Sequence, residues 1–347
     1  MIKISVIVPV FNPPHEMFEK HLNSVLGQNG DYEFIYINDG STDSWIGATM
    51  RLIVQKDDRV KYIEKKNSGV SDTRNVGIAH ATGDFITFVD ADDYIEPGCL
   101  KYMYDATVQN SANVSIFGFH NGLSKNTIQK CISNEERIHL LLSIIAYRTH
   151  TYCDIGVLVD SPWAKLFSRK LITQKKISFS SDLSLSEDAL FDLYCYQHAK
   201  TIYLDNTVVY NYVTNNDSST HTNYHKYVEM IPKILKEEKF FINSFYPDND
   251  RFQDALAVRA FIAVSAADYC YFSSIRDGGS IWRKWSEFRK CMSETIVRCL
   301  VKRLRYSQLN DNRLYGLLNK VKLYFYKNDL LLVDVLLFRL FHYLKHK

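Results

Sequence analysis

Three carboxylates, Asp90, Asp92 and Asp93, follow the apolar run Phe85-Ile86-Thr87-Phe88-Val89. At the end of a buried strand their solvation is poor and their mutual repulsion strong, so the cluster is costly unless a cation compensates it. Oxygen ligands of this kind suit Mg²⁺ or Mn²⁺, which take one or two carboxylates and complete their shell with phosphate and water. Helix capping is the competing role: Glu96 and Pro97 mark a first helical turn that Asp92 or Asp93 would cap.

Further polar clusters stand in order along the chain. In Asn38-Asp39-Gly40-Ser41-Thr42-Asp43, the last three residues read as a turn and the cap of the next helix. Asp39 lies nearer the strand end and is left over as an acceptor for a base or ribose. Asn67-Ser68-Gly69 leads into a helix bearing Arg74 and Asn75, where Arg74 faces either solvent or an anionic group. Ser186-Glu187-Asp188 opens another helix, whose dipole favours carboxylates in the first turn whether or not they do chemistry.

These clusters need a scaffold. Ile2–Val8, Glu33–Ile37, Val60–Glu64, Phe85–Val89 and Asn113–Phe119 read as strands, separated by amphipathic segments at His15–Leu26, Ser44–Gln55, Ser71–Ala81 and Pro97–Gln109. Such alternation predicts βαβ units in an α/β fold, a mostly parallel sheet with helices on both faces. In such sheets ligands bind outside the carboxyl ends of the strands, where the polar clusters fall. Helices at Pro162–Leu171 and Glu187–His198 and strands at Thr201–Leu204 and Val208–Val213 are expected next. From Tyr224 the pattern is helical throughout: Tyr224–Phe245, Asp250–Phe272, Ile281–Arg305, Arg313–Tyr326 and Leu330–Lys345. The expected division is a catalytic domain over 1–222 and an all-helical C-terminal region over 223–347.

Charge is unevenly spread. From Arg276 to Lys347 sixteen Lys and Arg face six Asp and Glu, although the whole chain is only +3. A basic tail interleaved with aromatics (Trp282, Trp285) suits anionic lipid; the alternative is a helical subdomain packed on itself or on a second copy, a homo-oligomer. The strand-end loops are not basic, which argues against nucleic acid. Seven scattered cysteines without a CxxC pair fit a reducing compartment. With no signal-peptide pattern and no uninterrupted apolar run of spanning length, the expectation is a cytoplasmic protein, peripheral on the inner face of the membrane.

The ordered set Pro9-Val10-Phe11-Asn12, Asn38 to Asp43, Asn67-Ser68-Gly69 with Arg74-Asn75, and Asp90-Ala91-Asp92-Asp93 resembles the family 2 glycosyltransferases of GT-A fold. The resemblance covers roughly residues 1–220. It implies a nucleotide-diphospho-sugar transferase domain using a UDP-sugar donor and Mn²⁺ or Mg²⁺. By the same resemblance Pro9, Phe11 and Asn12 line the nucleotide pocket, Asp39 contacts the base, and Arg74 lies close to the nucleotide. Asp90 then meets the ribose or the metal, and Asp92 is the main metal ligand. Where the family has Ala before the Arg-Asn pair, this chain has Thr73.

Inverting transfer needs a carboxylate opposite the leaving diphosphate to take the proton of the acceptor hydroxyl. Asp188 is the candidate base, with Glu187 beside it. Lys165, in Trp163-Ala164-Lys165-Leu166-Phe167, is a candidate contact to donor or acceptor. His221, in the polar loop after residue 214, is a candidate third metal contact. The acceptor expected is a glycan or lipid-linked oligosaccharide, as in polysaccharide biosynthesis. Two rivals stand beside this: transfer to a polyprenyl phosphate, which needs no base, and a non-catalytic glycan-binding homologue.

Overall fold

The computed structural model describes residues 2–120, 126–147, 150–213, 224–273, 280–309 and 313–345. The chain divides into two compact units, Met1–Ile144 with Thr149–Thr214, and Ile145–Arg148 with Asn215–Lys347.

The first unit is built on a nine-stranded sheet: β1 (Ile4–Val10), β2 (Tyr32–Asn38), β3 (Val60–Glu64), β4 (Phe85–Phe88), β5 (Tyr94–Ile95), β6 (Val114–Phe119), β7 (Gln129–Cys131), β8 (Lys165–Ser168) and β9 (Ile202–Asn211). The order is β3-β2-β1-β4-β8-β6-β9-β5, with β7 also on β9. Strands β3, β2, β1 and β4 run parallel, as do β6 and β9, whereas β8 is antiparallel to both its neighbours. Helices α1 (His15–Leu26), α2 (Ser44–Val54), α3 (Val70–His80) and α4 (Cys99–Gln109) connect the early strands. Then come α5 (Asn134–Ile145), α6 (His150–Cys153), α7 (Arg169–Lys175) and α8 (Glu187–His198).

Burial explains the sequence pattern. Every residue of β2 is buried, which is why it reads as a near-continuous apolar run. Helix α1 buries Phe18, His21, Leu22 and Val25, one stripe at helical spacing. Helix α3 lies so close to the sheet at Gly77 that a Cβ there would collide with Ile7 and come within 3.1 Å of Ile37. Glycine is required at that point by proximity.

Two expectations change. Pro162–Leu171 is not one helix: Lys165–Ser168 is strand β8 and only Arg169–Lys175 is helical. Leu166 and Phe167 are both fully buried inside the sheet, and periodicity alone cannot tell such a short run from a helix. The two strands expected at 201–213 are one, β9, with an irregular register against β6 around Gly118. Midway along it, buried Asp205 accepts from Tyr102 Oη at 2.7 Å and Thr207 N at 2.9 Å.

The second unit is helical: α9 (Tyr224–Phe245), α10 (Asp250–Ala267, prolonged by a π turn over Asp268–Phe272), α11 (Ile281–Ser293), α12 (Thr295–Arg303), α13 (Arg313–Lys327) and α14 (Leu331–Lys345). The helix expected over Ile281–Arg305 breaks in two at Glu294. Asp250–Phe272 is long and apolar enough to cross a bilayer, but 67% of its apolar window is buried inside the protein. It carries the core residues Phe252, Leu256, Phe261 and Val264, and its Arg259 pairs with buried Glu238 at 3.4 Å.

Candidate active site

The polar loops gather at the carboxyl ends of β1, β2, β3 and β4. Asn12 adopts a left-handed conformation (φ 45°) that turns its side chain back over the second loop. Its Oδ1 accepts from Thr42 N at 2.9 Å, while its own N–H donates to Ser41 Oγ at 3.1 Å. Asn12 therefore clasps two loops together. Pro9 is half-buried and Phe11 is 54% exposed at the same strand end, an apolar ring free to face a ligand. Asp43 caps α2 by accepting from Trp45 N at 2.9 Å, so the turn-and-cap role holds for this residue.

Asp39 is buried and both its oxygens are engaged. Lys65 Nζ donates to Oδ1 at 2.5 Å, Ser68 N to Oδ1 and Gly69 N to Oδ2, both at 2.9 Å. Asp39 thus shapes the third loop, and any contact to a base is made by a carboxylate already held by three donors. Lys65 also pairs with Asp72 at 3.0 Å. The sequence reading passed over Lys65, a lysine at a strand end whose spacing to Asp39 carries no motif.

At the fourth loop the two halves of the carboxylate cluster separate. Asp93 is buried and does not cap a helix: α4 begins behind Gly98, without a side-chain cap. Instead, Asp93 accepts from Tyr210 Oη at 2.6 Å and from Val213 N at 2.7 Å, tying the loop to the end of β9. Its carbonyl takes the Nδ1 proton of His21 at 2.9 Å, and Tyr36 Oη lies 3.2 Å from His21 Nε2. A carbonyl can only accept, which fixes the tautomer, and burial lowers the His21 pKa to about 4 and keeps the ring neutral. Asp92 neither caps nor anchors. Burial first, then the neighbouring Asp90, raises its pKa.

A half-buried carboxylate left with a like-charged neighbour is the environment that a divalent cation relieves. Asp90 and Asp92 therefore fit such an ion as a pair, with phosphate and water completing its shell. Among the described residues no group of three His, Cys, Asp or Glu side chains is arranged for a metal. His221, the expected third contact, lies outside the described residues.

Arg74 joins this loop to the far side of the site. It is 3% exposed, facing neither solvent nor an open cleft. Its Nη2 donates to Asp90 Oδ1 at 3.1 Å and its Nη1 to Asp188 Oδ1 at 2.5 Å, with Glu187 Oε1 at 3.8 Å. Burial disfavours the cation, but Asp188, Asp90 and Glu187 outweigh it, and the guanidinium pKa is raised. Burial likewise pushes the Asp188 carboxyl up, against the opposing pull of Arg74.

Packing puts Asp188 there. Ser186, in a left-handed conformation (φ 62°), turns the chain into α8. Three residues after Asp188, Phe191 stacks on Phe179 at 4.0 Å and meets Phe88 and Phe167 edge-on. Asn75 holds Phe179 through both its backbone groups, each at 2.9 Å, and the Phe179 ring lies under the Arg74 guanidinium. One aromatic cluster thus seats α3 and α8 against β4.

Lys165 is corrected. It is fully buried, and its ammonium donates to the carbonyls of Leu158 and Ser161 and faces Asp192 at 3.4 Å. Its position as an interior sheet residue removes it from donor or acceptor contact. Trp163 is also core, 5% exposed and stacked on Tyr210 at 4.6 Å, while Tyr212 outside it is 42% exposed.

Comparison with known proteins bears on the family and the fold. Residues 5–174 match the family described as Glycosyl transferase family 2. Glycosyltransferase GlyA of Streptococcus pneumoniae is 28% identical over 251 residues, 71% of this chain and 35% of its own length. The poly(ribitol-phosphate) beta-N-acetylglucosaminyltransferase TarP of Staphylococcus aureus is 28% identical over 65% of this chain and 67% of its own. The chain spans about a third of GlyA and of the poly(ribitol-phosphate) beta-glucosyltransferase of Bacillus spizizenii, and 64% of EpsJ of Bacillus subtilis. Among solved structures, S. aureus TarS 1–349 in complex with UDP-GlcNAc superposes with a TM-score of 0.63 at 21% identity. That likeness covers 94% of this chain and 91% of TarS 1–349, and it speaks for the fold.

Proposed function

Residues 5–174 of this chain match glycosyl transferase family 2, and from that match we propose that the chain moves a hexose or N-acetylhexosamine from a UDP-sugar to a glycan hydroxyl with inversion. The observation that carries this reading is the single guanidinium of Arg74 holding Asp188 and Asp90 together. A base candidate and the donor-side carboxylate share one cation, which supports a two-sided transfer site. The UDP-GlcNAc complex of TarS supports the choice of donor.

In this mechanism Asp188 accepts the proton of the acceptor hydroxyl as its oxygen attacks the anomeric carbon. The bond from that carbon to the diphosphate oxygen breaks, and UDP leaves from the opposite face. Arg74 keeps Asp188 oriented and balances the carboxylates around it. Asp90 and Asp92 would hold Mn²⁺ or Mg²⁺, which when bound stabilises charge on the departing diphosphate. Asn12, Asp39 and the loops they fix form the nucleotide pocket, with Phe11 and Pro9 along its wall.

A donor test comes first: a thermal-shift panel of nucleotide sugars with Mn²⁺, where a rise in Tm with UDP-sugars above other nucleotides is expected. Asp188→Asn is then expected to lose transfer at least about 10²-fold while binding donor as before. Full activity in that variant removes Asp188 from the role of base, and no response to any nucleotide sugar removes the reading as a whole.

The basic helices give a second element of the proposal, contact with an anionic membrane surface on the cytoplasmic side. Helix α11 supports it by exposing Trp282 at 64% and the Arg283 side chain at 68%. Flotation with vesicles containing phosphatidylglycerol tests it. Identical behaviour with neutral vesicles removes it.

A further inference from the structure

One buried charge pair is unused by the mechanism above. Lys165 on β8 and Asp192 on α8 are both fully buried, 3.4 Å apart. Asp192 stands one helical turn after Asp188, on the same face of α8. Neither of its oxygens makes a well-formed hydrogen bond. Lys165 is better held, by the carbonyls of Leu158 and Ser161.

As structure alone this arrangement is poor. Buried carboxylates are ordinarily hydrogen-bonded, and an apolar pair of similar volume is often as stable as a buried ion pair or more so. Two strained residues flank the same two segments: Ala164 (φ 53°) immediately before Lys165, and Ser186 (φ 62°) immediately before Glu187. Strain of this kind gathers where surrounding packing enforces a functional geometry.

We infer that Lys165 and Asp192 form a positioning pair for the base, a buried charge couple one turn behind Asp188 that sets where its carboxylate stands and which charges surround it. The inference rests on Asp188 acting as the base. Lys165 anchors the 158–161 segment and β8 to α8, so the turn bearing Asp188 cannot slide along the sheet. The couple also acts on the charge of the base. Lys165 favours ionisation of Asp188, burial and the neighbouring Asp188 press the Asp192 carboxyl toward its neutral form, and Arg74 from α3, Asp90 from the β4 loop and Glu187 complete the charges that face the base. Asp160, from the segment before β8, acts on Asp192.

Rates of UDP release from UDP-GlcNAc or UDP-glucose, with water as the acceptor hydroxyl, are measured against pH for the full chain and three variants. Asp192→Asn removes the carboxyl that faces Lys165 and leaves the cation without it. The acidic limb of its pH–rate profile is expected to move to lower pH by about one unit. An unmoved limb in a folded Asp192→Asn protein overturns the inference whatever its kcat, because the pair then does not reach the charge of the base. Should that variant not fold, Lys165→Met with Asp192→Leu removes both charges together. A tenfold or greater fall in kcat at unchanged donor KM then supports the pair, and wild-type kcat overturns it. Asp188→Asn separates the two readings. Its full activity sinks the base itself, whereas its inactivity beside an unmoved Asp192→Asn limb sinks only the pair.

Discussion

Arg74 and Asp188 lie 114 residues apart in sequence and are joined by a hydrogen bond of 2.5 Å. The same guanidinium reaches Asp90 at 3.1 Å, so its fork spans the junction between α3, α8 and the β4 loop. Lysine keeps the charge but not the fork. Arg74→Lys should therefore fold, bind donor, and lose about 10²-fold or more in kcat, since small misplacements of a base cost that much. Arg74→Met leaves half-buried carboxylates facing one another and should cost about 2 kcal/mol of stability, less than for a fully buried pair. Chemical denaturation beside steady-state kinetics separates the two effects. Wild-type kcat in Arg74→Lys would show that the bridge is not needed.

Asp92 gives a prediction of opposite sign. Its pKa is raised by burial and by Asp90, so in the absence of a cation its charge is a burden. Asp92→Asn should equal or exceed the wild-type Tm without metal. It should lose the extra rise in Tm that Mn²⁺ adds with UDP. A variant that keeps this Mn²⁺-dependent rise takes Asp92 out of the cation site.

The opposite end of the sheet supplies a test of the fold. Glu33 is 2% exposed and accepts from Ser5 Oγ and Thr82 N, each at 2.6 Å, and from Lys61 Nζ at 2.6 Å. Burial alone would raise its pKa, but these donors, Lys61 foremost, bring it down to about 2. A depressed carboxylate stabilises the fold above its unfolded pKa, and the benefit fades as pH falls toward 2. Glu33→Gln should cost about 3 kcal/mol at pH 7, with the difference shrinking below about pH 4.3. Urea midpoints across pH 3–7 check this. A gap that stays constant with pH would refute the assignment.

The parallel half of the sheet was legible because β1, β2 and β4 are buried on both faces and the helices carry clean stripes, as α1 does. The loops carrying Asn12, Asp39 and Asp90 were legible for the same reason: strand ends are visible once strands are. What remained hidden depends on contacts distant in sequence. Nothing near Lys165 announces that β8 inserts antiparallel between β4 and β6, and that insertion turns a candidate ligand contact into an interior ion pair. Nor does the run of aspartates reveal that Asp93 is spoken for by Tyr210 and Val213, more than a hundred residues on. Arg74 was open between solvent and an anion, and the anions it meets are the protein's own.

Gly77 gives the site an unusual vulnerability. Helix α3 rests on Ile7 and Ile37 at a point where not even a methyl group fits, and Arg74 sits one turn toward its N-terminus. The helix acts as a lever with its fulcrum in the hydrophobic core. A methyl at position 77 would tip the Arg74 turn away from Asp188 and Asp90, so on the proposed mechanism an apolar change that touches no substrate would register as a lesion of proton transfer. In such a protein, tolerance to drift in the core and retention of chemistry are a single constraint.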